Sequence, residues 1–173
     1  ARGIWRMAEE YLRLPLADVV YFDGQNFRAV ASGIRLANGI ALAADGSRLY
    51  VAATTGLELL NFPREPFSGT LGEPVATALG TAPDNITRGP DGDLWVGAHP
   101  QILKLVSALD PPGRRAPSPV LQLTPKPDGT FQVEEVYLDD GRQFSGASVA
   151  VPAGRRLLIG SVIAPGILDC RLP

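Results

Sequence analysis

The chain has 173 residues, 45% of them hydrophobic and 20% charged, with a formal net charge of −2. These are the values of an ordinary globular domain, so a disordered or fibrous protein is excluded, and the length allows one domain with a core. The weak charge and scattered arginines argue against a nucleic-acid-binding surface, which needs a concentrated basic face. No apolar run is long enough to span a bilayer.

The sequence begins ARGIWRMAEE, with neither an initiating Met nor a signal-like apolar segment, so we expect a processed or truncated product. Residues 1–15 are predicted to form an excursion between sheets. Within them, the pattern of residues 3–13 predicts a short amphipathic helix. Its apolar residues recur at helical spacing, at Ile4, Trp5, Ala8, Tyr11 and Leu12.

The rest of the chain predicts strands in pairs. Residues 18–32 form a predicted hairpin around an Asp-Gly turn, and two later windows, 38–53 and 84–98, share a longer pattern. Each window has an Asn before an apolar run, then an Asp-Gly turn, then a second run that carries an aromatic residue. The two copies are spaced by about 40–50 residues, which is typical of the four-stranded blades of a β-propeller.

The remaining segments extend this plan. A weaker third copy lies at 145–163, residues 56–63 and 101–108 are predicted third strands of their blades, and 131–140 alternates as a strand. Residues 110–120 hold four prolines and a glycine and are predicted to be a surface excursion.

The prediction is therefore an all-β protein with about three to four blades, a single partial propeller domain over residues 1–173. Propellers need at least four blades to close, and an open ring exposes the apolar faces of two blades. We therefore expect either a second chain that completes the ring or, in better accord with the start of the sequence, a C-terminal piece of a larger propeller.

Polar residues stand at the entry to two predicted inner strands. Asn38 precedes one, and the pair Asp84-Asn85 precedes the other. Inner strands converge on the central channel of a propeller, so these oxygen atoms are expected to point to one place. Carboxylate and amide oxygens without sulfur are the ligands of Ca²⁺. The alternative is that these residues only make turns or cap strands, as Asn and Asp commonly do.

Other catalytic patterns are weaker. His99, the one histidine, follows a predicted strand, and a lone histidine is more often structural than catalytic. No Gly-x-Ser-x-Gly elbow supports a catalytic triad. The adjacent carboxylates Glu134-Glu135 and Asp139-Asp140 would point to opposite faces of a strand, which disfavours paired acid and base roles.

Three segments together resemble the second half of the paraoxonase/arylesterase family. They are LANGIALAADGSRLYVA, PDNITRGPDGDLWVGAHP and LLIGSVIAPGILDCRL, and the resemblance runs in register over nearly the whole chain. The resemblance implies a six-bladed propeller that hydrolyses aryl esters and lactones with a catalytic calcium ion. Gluconolactonases and strictosidine-synthase-like propellers share the Asn-Gly and Asp-Gly features but not the DGDLWVG-HP run.

The resemblance also implies roles for single residues. Asn38, Asp84 and Asn85 match calcium ligands. His99 matches a histidine near the rim of the active site, beside the metal ligands rather than among them, and Ser148 and Val162 fall where relatives line the substrate pocket. Cys170, the one cysteine of the chain, matches a cysteine that relatives tie to a partner near the N-terminus. The helix at 3–13 matches a segment that contacts lipid surfaces in animal members.

The same comparison implies what this chain lacks. The family's other calcium ligands, a glutamate and a second asparagine, and its histidine dyad match positions upstream of Ala1. We therefore expect the chain alone to be an incomplete, inactive half of a hydrolase, and secretion is expected because the family is often secreted. The alternative is a non-catalytic propeller module that acts in binding or as a scaffold.

Overall fold

The computed structural model describes residues 12–102, 105 and 115–172. These residues contain 13 β-strands. The strands are β1 (Ala17–Phe22), β2 (Phe27–Ile34), β3 (Ala37–Leu42), β4 (Arg48–Ala53), β5 (Glu58–Pro63), β6 (Val75–Ala78), β7 (Ala82–Arg88), β8 (Leu94–His99), β9 (Val120–Pro125), β10 (Phe131–Tyr137), β11 (Ala147–Ala153), β12 (Arg156–Ser161) and β13 (Ile167–Arg171). The predicted helix at 3–13 lies outside the described residues except for its last two positions.

The strands form four antiparallel sheets in chain order. β1 and β2 make the first, β3 to β6 the second, β7 to β10 the third and β11 to β13 the fourth. Within each sheet every strand pairs with the next along the chain, so each sheet is one propeller blade, and the predicted all-β partial propeller is confirmed. In the part that the structure describes, no helix is long and apolar enough to cross a membrane.

The core lies between the blades rather than within them. One cluster joins β4 and β5 to the third blade, a second joins that blade to the fourth, and a third joins the first two blades. On β4, Tyr50 and Ala52 face the third blade, whereas Leu49 and Val51 face the first. Because the pleat alternates and both faces are covered, β4 and β8 are buried along almost their whole length.

Asp-Gly turns close the hairpins as the sequence predicts. In the turn between β1 and β2, the Asp23 carboxylate accepts hydrogen bonds from the backbone N–H groups of Gln25 and Asn26, at 2.8 and 2.7 Å. Asp45 and Asp128 accept from the second following residue in the corresponding turns. The aspartate therefore supplies the local hydrogen bonds that the turn backbone lacks.

Two predictions for the third blade are wrong. Residues 101–108 are not its third strand, because β9 pairs with β8 instead. Of that segment, Gln101, Ile102 and Leu105 are described, and the Leu105 N–H donates to the Gln101 carbonyl in a helical turn. Nor is the end of 110–120 a surface excursion, since Ala116 and Ser118 are buried. Proline content marks an irregular backbone, but it does not show whether that backbone is covered.

Candidate functional site

The polar residues singled out in the sequence meet around one carboxylate. The Asn38 side-chain amide donates to Asp84 Oδ1 at 2.7 Å, and the Asn85 amide lies 3.3 Å from the same oxygen. His99 Nε2 lies 3.1 Å from the other oxygen, Oδ2. Asn38, Asp84, Asn85 and His99 are called the Asp84 cluster below. It joins the second blade to the third, so the side chains meet as expected, although the two asparagines face Asp84 with their amide nitrogens rather than their oxygens.

β-Bulges place three of these polar residues, Asn38, Asp84 and Asn85. In β7 the register shifts between Pro83 and Ile86, so that two residues, Asp84 and Asn85, oppose one on β8. The same irregularity occurs in β3 around Asn38. A bulge bends the strand and re-aims its side chains, which brings polar groups out of the ladder pattern and toward the neighbouring inner strand.

The bulges also refine the internal repeat. The bulge of β3 spans Ala37 to Ile40 and that of β7 spans Pro83 to Ile86, so Asn38 corresponds to Asp84 rather than to Asn85. A third bulge lies in β11, where an extra residue, Ser148, stands between two ladder pairs. Three neighbouring blades therefore repeat one local deformation at the same end of the inner strand.

Gly39 allows β3 and β7 to approach each other closely. A Cβ at this position would lie 2.3 Å from the Asp84 carbonyl oxygen and 2.8 Å from the Ile86 nitrogen. Since both are backbone atoms, no side chain can give way, and only glycine fits. Gly97 plays the same part between β8 and β11, where a Cβ would lie 2.4 Å from the Ser148 carbonyl carbon.

Thr54, which the sequence analysis did not select, stabilises the strands that carry the cluster. The buried Thr54 hydroxyl donates to the Pro83 carbonyl at 2.7 Å, and the Thr54 N–H donates to the Leu36 carbonyl at 3.0 Å. These bonds tie the end of β4 to the starts of β3 and β7. A threonine after a strand forms no sequence pattern that would identify this role. By contrast, the Asn-Gly pair at 38–39 does mark the close approach of β3 to β7.

The other predicted site residues are placed differently. Ser148 is 5% exposed, and its carbonyl accepts a hydrogen bond from the Asn85 amide at 3.1 Å, so its backbone contacts the cluster. Val162 is 52% exposed and follows β12, with no hydrogen bond to the cluster. Their assignment to a substrate pocket stays a prediction.

Cys170 lies on β13, in the fourth blade, opposite Leu157 of β12. Burial and the neighbouring Asp169 raise the pKa of its thiol, so the reactive thiolate is disfavoured. The thiol is free in this chain. The predicted disulfide requires a cysteine outside the sequence.

The donor set fits a hard cation. One carboxylate and two amides converge at the Asp84 cluster, with the amide N–H groups facing the carboxylate, so each amide would have to turn its carbonyl oxygen inward to bind Ca²⁺. Over the described ranges, no group of three or more His, Cys, Asp or Glu side chains could hold a metal ion. Amide or backbone oxygens would therefore have to supply part of the coordination.

His99 is the most deeply buried member of the cluster. It is 3% exposed, and its ring nitrogen Nδ1 has no hydrogen-bond partner among the residues that the structure describes. In the tautomer protonated at Nε2, the ring donates to Asp84 and leaves Nδ1 as an acceptor. The ring therefore contacts the carboxylate through Nε2, and the supporting role of His99 stays a prediction.

Comparisons with known proteins show the family to which the chain belongs. A family model described as Arylesterase matches residues 3–172. Serum paraoxonase/arylesterase 2 of Rattus norvegicus is 35% identical over 155 residues, which cover 89% of this chain and 43% of that protein. Serum paraoxonase/arylesterase 1 of Homo sapiens is 33% identical over 157 residues, covering 89% of this chain and 43% of that protein. The chain thus spans less than half the length of these relatives.

Solved structures show the same fold. A gluconolactonase of Xanthomonas campestris superposes with a TM-score of 0.59 at 21% identity, over 90% of this chain and 44% of that one. A luciferin-regenerating enzyme superposes with a TM-score of 0.57 at 13% identity, over 81% of this chain and 42% of that one. At these identities the likeness concerns the fold alone.

Proposed function

Because the chain belongs to the arylesterase family, we propose that the protein hydrolyses aryl esters and lactones with a calcium ion held at the Asp84 cluster. The observation that carries this proposal is the convergence of two amides and an imidazole from two blades on one carboxylate. A merely structural pair of turn residues would bond to its own backbone, as Asp23 and Asp45 do.

Each residue has a distinct role in this proposal. Asn38, Asp84 and Asn85 supply oxygen ligands, and bound Ca²⁺ would act as a Lewis acid that polarises the carbonyl of the ester. His99 donates to Asp84 Oδ2 and holds the carboxylate in one orientation. A hydrogen-bonded ligand of this kind is better oriented than a free one. Gly39 keeps the two inner strands close enough for the Asn38 amide to reach the Asp84 carboxylate.

The Asp84 cluster alone offers too few oxygen ligands for a tight calcium site. Ca²⁺ takes about six to eight oxygen ligands. The Asp84 cluster offers one carboxylate and two amides. We expect the 173-residue chain to bind Ca²⁺ weakly and to have no useful esterase activity. Calorimetric titration of the purified chain with CaCl₂ measures this directly, and a submicromolar dissociation constant would contradict it.

Phenyl acetate hydrolysis by the protein as expressed from its gene tests the function. Asp84→Ala is expected to lower kcat/KM by about a hundredfold or more, because it removes the one charged ligand of the cluster. The matched control is Asp91→Ala, which removes an exposed carboxylate from the turn of the same blade. Unchanged activity in Asp84→Ala, with an unchanged unfolding midpoint, would show that the assignment is wrong.

Two further properties are proposed from the family. Serum paraoxonases are the matched relatives, which supports secretion of this protein. Contact with lipid through residues 3–13 rests on the resemblance alone, because most of that segment lies outside the described residues. Detection of the protein in the culture medium, and vesicle flotation with and without residues 1–13, would test these two points separately.

A further inference from the structure

A small cavity near the Asp84 cluster carries positive charge. It has a volume of about 310 Å³ and is lined by Leu12, Arg13, Arg35, Thr55 and Gly56. It is called the arginine cavity below. Both arginines are exposed, and within the described part of the chain neither forms an ion pair. The Glu58 carboxylate offsets part of this positive charge, because its Oε1 lies 2.8 Å from the position that a Cβ at Gly56 would take.

Thr55 adds a buried hydroxyl without a partner. The residue is 5% exposed, and its Oγ1 makes no hydrogen bond to any residue that the structure describes. Leaving such a group unpaired is unfavourable, and because the oxygen is covered in this structure, a ligand would accept from it only after the side chain rotates toward the cavity. A hydroxyl donor and two guanidinium groups around one cavity form a set that is complementary to an anion.

The backbone around the arginine cavity is strained. Among the described residues, three that are not glycine have a left-handed backbone: Arg13 with φ of 52°, Leu36 with φ of 54° and Leu57 with φ of 58°. Arg13 lines the cavity, and the other two adjoin its lining residues Arg35 and Gly56. Such conformations are costly for residues with a Cβ, and they concentrate where a binding site requires them.

The arginine cavity and the Asp84 cluster share one edge of the inner strands. Arg35 precedes Asn38 by three residues, so their Cα atoms are at most about 11 Å apart. Thr54, next to Thr55, donates to the carbonyl of Pro83, the residue before Asp84. A substrate of modest length could therefore touch both places at once.

We infer that the arginine cavity binds an anionic group of the substrate, a carboxylate, while the ester carbonyl lies at the Asp84 cluster. This inference rests on the proposed function for its second half. The planar fork of a guanidinium matches a carboxylate in two parallel hydrogen bonds. The preferred substrates are then esters or lactones that bear a second carboxylate, such as monoesters of dicarboxylic acids.

A pair of substrates that differ in one charge tests the inference. Mono-para-nitrophenyl adipate carries a free carboxylate, and methyl para-nitrophenyl adipate has the same chain without the charge. In the protein as expressed from its gene, Arg35→Gln is expected to lower kcat/KM for the charged ester about tenfold, mostly through KM, and to leave the neutral ester within about twofold. Arg35→Lys should restore part of the loss because it keeps the charge.

The matched control is Arg142→Gln, which removes another exposed arginine, one that pairs with Asp140 on the surface. It should affect neither ester. An equal loss on both esters in Arg35→Gln would overturn the inference and leave the proposed function standing. If the wild-type protein hydrolyses neither ester, the proposed function fails, and calorimetric titration with adipate decides the inference. Binding weakened about tenfold by Arg35→Gln supports it, and binding that does not change overturns it.

Discussion

Gly39→Ala should destabilise the protein because the added methyl group meets backbone on three sides. The Cβ would lie 2.3 Å from the Asp84 carbonyl oxygen, 2.8 Å from the Ile86 nitrogen and 2.9 Å from the Asn85 Cα. Since real contacts of this kind do not fall below 3.0 Å, the strands must separate by about 0.7 Å. Overpacking of this sort costs about 3 kcal/mol. Alanine also reduces the conformational entropy of the unfolded chain, which offsets about 0.4–1 kcal/mol of this cost.

The net expectation is a fall of about 2 kcal/mol or more in the free energy of unfolding, measured by urea denaturation. Gly72→Ala is the matched control, because its Cβ would lie 3.4 Å from the Pro63 Cβ, in ordinary contact, and its φ is not left-handed. It should change stability by no more than about 0.5 kcal/mol. If Gly39→Ala were as stable as Gly72→Ala, the close approach of β3 to β7 would be refuted.

Two other predictions concern parts that support the site and the core. Thr54→Val removes the donor to the buried Pro83 carbonyl and should lower the free energy of unfolding by about 1–3 kcal/mol; an unchanged urea midpoint would contradict this. Burial raises the pKa of Tyr137 from 10 to about 12, so the stability from its neutral phenol is complete below pH 10 and is lost as the pH rises to 12. Tyr137→Phe should lack that loss, and identical alkaline unfolding curves for the two proteins would refute the shift.

Much of the fold could be predicted because its determinants are local. Alternating apolar residues give the strands, and Asp-Gly pairs give the turns, as Asp23 and Asp45 show by accepting hydrogen bonds from the backbone that follows. The third strand of the third blade could not be predicted in this way. Residues 101–108 and 120–125 are both apolar enough for a strand, and only pairing with β8 distinguishes them.

In the candidate site, too, only the features with local determinants could be predicted. Asn38, Asp84 and Asn85 could be selected because polar residues at the starts of inner strands are out of place in an apolar pattern. The bulges that aim them depend on pairing between β3 and β4 and between β7 and β8. Thr54 and the arginine cavity depend on contacts between segments far apart in the chain. No spacing within the sequence encodes such contacts.

The central claim is tested most directly by calorimetric measurement of calcium binding. The protein as expressed from its gene is compared with its Asp84→Asn variant. The substitution keeps the shape of the side chain and removes its charge, and the exposed Asp91→Asn serves as the control. We predict that Asp84→Asn weakens calcium binding at least about tenfold and that Asp91→Asn does not, because hard cations depend on carboxylate charge. Equal calcium affinity in the wild-type protein and Asp84→Asn would contradict the assignment of the metal to the Asp84 cluster.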